Sequence, residues 1–115
     1  MSGLDDYLDH KFCYLTTRGR VTGRPHEIEI WFVVRGGVAY LMAGGQRSDW
    51  VRNLMADERV TLRIGRESWS ALGRVAAQDD LEVRRRMAVK YQDWTEDKPL
   101  SQWARSALIV SVSPR

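Results

Sequence analysis

The chain has 115 residues and a formal net charge of +3, from 18 basic and 15 acidic side chains. Its length fits one domain with a single modest core, and its 43% apolar and 29% charged content excludes a disordered chain. No apolar run reaches the roughly 18 residues of a membrane span, and the charge excess is too small for a typical nucleic-acid binder.

The acidic start, Met1-Ser2-Gly3-Leu4-Asp5-Asp6-Tyr7, lacks the apolar stretch of a signal peptide. The single cysteine, Cys13, excludes an internal disulfide. Both predict a cytoplasmic protein. Leu4 to His10 reads as a short helix with Ser2 as its cap, and Phe12 to Thr17 as a first strand that buries Cys13.

Pro25 to Arg35 reads as one strand. Ile28, Ile30, Phe32 and Val34 share a face, while Glu27, Glu29, Trp31 and Val33 share the other. Gly36-Gly37 predicts a tight hairpin, Val38 to Ala43 the returning strand, and Gly44-Gly45-Gln46 its end. Arg47 to Asp57 reads as a helix capped by Ser48, with Trp50 or Val51, Leu54 and Met55 on its apolar side.

Arg59 to Ile64 and Ser68 to Ala77 read as strands around a Gly65-Arg66-Glu67 turn. Asp79 to about Tyr91 follows as a helix whose apolar positions are Leu81, Val83, Met87, Ala88 and Val89. Its Arg84-Arg85-Arg86 run reads as a solvated face, with Asp79, Asp80 and Glu82 one turn earlier. Trp94 to Trp103 is irregular, and Ala107 to Val112 is a terminal strand. Six strands with short turns predict a mainly β, six-stranded antiparallel split barrel with peripheral helices, one domain over residues 1–115.

The richest chemistry lies between Leu15 and Pro25, where three arginines, three threonines and two glycines occupy a turn between strands. Glycines let backbone N–H groups converge there, and arginines supply forked donors for phosphate or carboxylate oxygens. An ordinary solvated hairpin loop is the competing reading. Two histidines and one cysteine at these spacings make no zinc site. No nucleophile elbow, Walker loop or dinucleotide fingerprint is present. Five tryptophans are many for this length. Trp69 and Trp103 read as core, and Trp31, beside two glutamates, as a ligand-stacking ring.

Leu15-Thr16-Thr17-x-Gly19-Arg20-x-Thr22-Gly23-x-Pro25, an aromatic at Trp31, and Trp50-x-x-Asn53-Leu54-x-Ala56-x-x-x-Val60 together resemble the deazaflavin (F420)-dependent nitroreductase family. The resemblance spans roughly Phe12 to Val112. It implies a split barrel related to the FMN-binding pyridoxamine-phosphate oxidases. It also implies an enzyme that moves a hydride from reduced coenzyme F420 to an electron-poor quinone, enone or nitro compound.

By position, Arg18, Arg20, Thr22, Gly23 and Arg24 resemble the loop that holds the cofactor's phosphate and tail. Met42, Ala43, Gly44 and Gly45 resemble the segment whose backbone lies along the ring, with Arg47, Ser48 and Trp50 flanking it. Trp31, Tyr91 and Trp94 resemble the acceptor wall, and Tyr91 is expected to act as proton donor or oxyanion partner. The chain departs from the family at Val21 and His26 and in a short 44–50 loop. FMN as cofactor, or a non-enzymatic binding module, are the alternatives that these departures keep open. The resemblance further implies a homodimer, paired through the face carrying Glu27, Glu29 and Val33, although such a charged face serves equally well as solvated surface.

Overall fold

The computed structural model describes residues 3–45 and 47–115. Ser2, expected as a cap, and Gln46, expected in a strand-ending turn, lie outside them. A single 3-10 turn, Leu4–Tyr7, leads into seven strands: β1 (Cys13–Arg18), β2 (Pro25–Ile30), β3 (Phe32–Arg35), β4 (Val38–Ala43), β5 (Arg59–Ile64), β6 (Glu67–Val75) and β7 (Leu108–Pro114). Three helices accompany them: α1 (Asp49–Ala56), α2 (Leu81–Gln92) and α3 (Gln102–Ser106).

All strand pairs are antiparallel, in the order β2-β1-β5-β6-β7-β4-β3. The outermost strands, β2 and β3, are consecutive in the chain with only Trp31 between them. The sheet therefore curls until its two edges meet at that residue, which makes a split barrel. Seven strands stand where six were expected, because the segment from Pro25 to Arg35 changes partner at Trp31. Before it, Ile28 faces Leu15 of β1; after it, Phe32 faces Leu41 of β4.

The bend also divides the expected outward face. Glu27 and Glu29 are exposed on β2, but Val33 is buried beneath α2. The Gly36-Gly37 hairpin is as expected, with φ of 59° and 75° that glycine adopts without strain.

The main core fills the barrel, where Cys13, Leu15, Phe32, Leu41, Leu62 and Val110 are buried. α1 closes it with Val51 and Leu54. Met55, expected on the apolar side, is 60% exposed, because the helix instead turns Asn53 inward against β1.

A second cluster lies outside the barrel, where Val83 and Met87 of α2 cover Val33, Met42 and Ile109. Leu81 and Val89 of α2 are exposed. In their place Arg84, read from the sequence as solvated, is buried. Its guanidinium donates to the carbonyls of Gln78, Ala104 and Ala107 at 2.9–3.2 Å, and so satisfies the C-terminal end of α3. Among the described residues, no helix is long and apolar enough to cross a membrane.

Candidate cofactor site

The turn after β1 is held by its own backbone. Gly19 N–H donates to Arg24 O and Gly23 N–H to Gly19 O, each at 2.8 Å. A Cβ at Gly19 would stand 2.8 Å from the His26 ring and 3.2 Å from Arg24 O, so a larger residue here would push on the loop and on β2. Gly23 has φ of 75°, the left-handed region that glycine occupies freely. The Thr22 hydroxyl accepts from Arg24 N–H at 3.3 Å.

Arg20 is the best-positioned cation of the turn. Its backbone N–H and its Nη1 both donate to Asn53 Oδ1, at 3.2 and 2.8 Å. Its Nη2 pairs with Asp49 Oδ1 at 3.2 Å. Asn53 is 3% exposed and donates onward to Thr17 Oγ1 at 3.1 Å. One buried amide thus joins β1, the loop and α1. Sequence reasoning quoted Asn53 as part of a motif without giving it a task; the signal was its spacing, three residues after Trp50 and therefore on the same helical side.

A groove of about 390 Å³ opens between this loop, the start of β2 and α1. Arg20 and Thr22 line it from the loop, His26 and Ile28 from β2, and Trp50 from α1. Arg18 and Gly23 line a separate hollow of about 380 Å³, together with Arg59 and Arg115. The five loop residues expected to act together are therefore divided: Arg20 and Thr22 on one side, Arg18 and Gly23 on the other, and Arg24 exposed at neither.

Met42 and Ala43 are buried, with side chains in the second cluster and the main core. Beyond them, no described residue lies within 4 Å of a Cβ built on Gly44 or Gly45. Arg47 is exposed. Ser48 precedes α1 but makes no side-chain capping bond; its carbonyl accepts from Arg52 N–H at 3.0 Å.

Of the expected aromatic wall, Trp31 and Tyr91 are stacked, 4.3 Å between centroids and 5° from parallel, and Trp103 meets Trp31 edge-on. Trp103, read as core, is packed against the second cluster. Trp94 is apart from them, its Nε1 donating to Lys98 O at 2.8 Å. The Tyr91 hydroxyl accepts from Phe32 N–H and lies 2.9 Å from the Phe32 and Lys11 carbonyls. Burial pushes its pKa up to about 12.

A curled antiparallel sheet, with an arginine-bearing glycine turn docked on a helix beside a tryptophan, defines a split barrel with a candidate anion-binding groove. The profile of the F420H(2)-dependent quinone reductase family matches residues 7–110, and the chain belongs to that family. It is an F420H2-dependent reductase, with coenzyme F420 as its cofactor.

Solved structures agree on the fold. A conserved hypothetical protein of Mycobacterium tuberculosis is 22% identical, with a TM-score of 0.82 over 100% of this chain and 81% of that one. An F420 reductase is 18% identical, with a TM-score of 0.70 over 100% and 95%. The heme storage protein HutZ of Vibrio cholerae is 16% identical, with a TM-score of 0.75 over 97% and 87%. No curated protein matches the chain.

The residues present fit the coenzyme. Arg20 and His26 offer polar donors in the groove, beside the carboxylates Glu27 and Asp49, of which Asp49 is paired with Arg20, while Ile28 and Trp50 offer apolar surface; Gly44 and Gly45 lie outside its lining.

Proposed function

We propose that the groove between the Gly19–Arg24 turn and α1 holds F420H2. In this reading Arg20 is the principal ligand of the anionic tail, with Thr22 beside it. Arg18 and Arg24 receive the tail's outer charges, with Gly23 turning the loop between them. The backbone of Met42, Ala43, Gly44 and Gly45 supports the ring, flanked by Arg47, Ser48 and Trp50. When bound, the coenzyme supplies a hydride. The chain orients it, excludes water and stabilises the charge that develops on the acceptor.

Trp31, stacked on Tyr91, is proposed as the flat wall against which a quinone, enone or nitro compound lies, with Trp94, just beyond the end of α2, extending the aromatic surface elsewhere. The proton that completes reduction comes from Tyr91 or from solvent. We further place the protein in the cytoplasm, where its buried thiol stays reduced, and as a homodimer paired through the exposed Glu27 and Glu29 side of β2. A mass twice 13.3 kDa by light scattering is expected, and a single-chain mass at micromolar protein rejects the dimer.

The observation that carries the cofactor assignment is the fixing of Arg20 by Asn53 and Asp49, which spends little ordering entropy when an anion arrives. Arg20→Ala is expected to cost roughly 1.5–3 kcal/mol of F420 binding, about 10- to 150-fold in Kd, read by quenching of tryptophan fluorescence. Unchanged affinity removes Arg20 from the site. FMN binding in place of F420 moves the groove to a flavin.

A further inference from the structure

A second cleft, of about 700 Å³, shares no lining residue with the cofactor groove. It lies between β3, the N-terminal turn and α2 with the segment after it. Its volume is in the range of small-molecule sites. Leu8, Val89 and Trp94 form apolar walls over Val33 and Val34. Leu8 and Val89 are large exposed hydrophobic side chains, 46% and 58% accessible, and the Lys98 carbonyl steadies the Trp94 indole.

Lys90 supplies charge inside this apolar cleft. Its Nζ lies 3.7 Å from the Phe32 ring centroid and donates to Phe32 O at 2.9 Å. An ammonium has three N–H donors, and this carbonyl is the one hydrogen-bond acceptor found for it among the described residues. Arg85 also lines the cleft and makes no ion pair among the described residues.

Of the other charged lining groups, Glu82 is bound by Arg86 at 3.2 Å and by Arg35 at 3.6 Å, and Glu96 is exposed. The cations Arg85, Arg86 and Lys90 therefore outnumber the two glutamates. Burial lowers the Lys90 pKa to about 8, against opposing influences of Cys13 and Asp9, and an incoming anion would offset that desolvation.

We propose that this cleft binds a small hydrophobic carboxylate, its ring system against Leu8, Val89 and Trp94 and its carboxylate on Lys90 and Arg85. An apolar body needs the walls, and the anion fills donors that a neutral ligand leaves desolvated and unpaired. The cleft uses none of the residues assigned to F420 itself, and shares only Trp94 with the proposed acceptor wall.

The test is calorimetric titration of the intact protein with 1-naphthoate and with uncharged 1-naphthalenemethanol. Naphthoate is expected to bind 1:1, at least tenfold tighter than the alcohol. Lys90→Met should weaken naphthoate at least tenfold and leave the alcohol unchanged. Lys90 also supports the β3 backbone, so exposed Val89→Asp provides a second disruption that the fold tolerates; it should abolish binding of both probes. Arg20→Ala should leave naphthoate affinity intact, which separates this cleft from the cofactor groove. No naphthoate binding at millimolar concentration, equal affinity for the alcohol, or binding that survives Val89→Asp overturns the proposal. So does binding lost in Arg20→Ala.

Discussion

Tyr91 shows how one side chain can be drawn toward two tasks. Its ring stacks on Trp31, while its hydroxyl takes the Phe32 N–H and gives its proton to a backbone carbonyl. The residue therefore pins the bend at which the two sheet edges meet. Tyr91→Phe is expected to lower stability by about 1 kcal/mol for the lost hydrogen bonds, seen as a Tm several degrees lower. If the tyrosine only positions Trp31, turnover at saturating acceptor stays within about twofold of the parent at a temperature where both are folded. A loss of about 100-fold or more in kcat with an unchanged KM instead assigns it the proton transfer, since general acids contribute on that scale.

Among the elements, α2 departs most from its sequence pattern. Leu81 and Val89 have the apolarity of core residues, yet both are exposed, and Arg84 takes the buried position. What decides this is the end of α3, whose carbonyls need donors where water is excluded. Other α2 side chains act in the same way on the free edge of β3: Lys90 and Tyr91 serve the Phe32 carbonyl and Arg86 the Val34 carbonyl. An edge so occupied cannot recruit another strand. Arg84→Met keeps the length but strips donors from several buried carbonyls. It should cost on the order of 3 kcal/mol, read as a fall in the denaturant midpoint with an unchanged m-value. A stability within 0.5 kcal/mol of the parent (roughly the scatter of surface substitutions) would mean that water replaces the guanidinium.

The response of the whole molecule to pH follows from groups that folding hides. Burial raises the Cys13 thiol from its ordinary 9.0 to about 12. Below pH 9 the thiol is protonated in both states, so its contribution to stability is fully present. Between pH 9 and 12 the unfolded chain loses the proton and the folded one keeps it, and that contribution is lost. Lys90 works in the opposite sense. Its pKa of about 8, against an ordinary 10.5, lets stability rise from pH 8 to 10.5. The expected signature is a steeper decline of Tm from pH 9.5 to 11 in the parent than in Cys13→Ala. Parallel profiles would show that the thiol ionises in place.

Much of this protein is written locally in the chain. The Gly36-Gly37 hairpin, the alternating strands around it and the helix after Gly45 are set by short-range rules of φ, side-chain period and helix initiation. The Thr-Gly-Arg turn with Trp50-x-x-Asn53 identifies the family, because both segments carry chemistry that few other arrangements need. The partner change at Trp31 is not local, since one uninterrupted apolar alternation satisfies β1 and β4 equally until the sheet curls. Nor could the sequence say that Arg84 would be buried, that Met55 would be left in water, or that Arg18 and Arg20 would fall into different hollows. Each depends on which carbonyl, amide or ring stands opposite once distant segments meet. Short-range patterns settle what a residue can do; the packed structure settles which partner it does it with, because burial makes the satisfaction of each polar group a requirement of the whole.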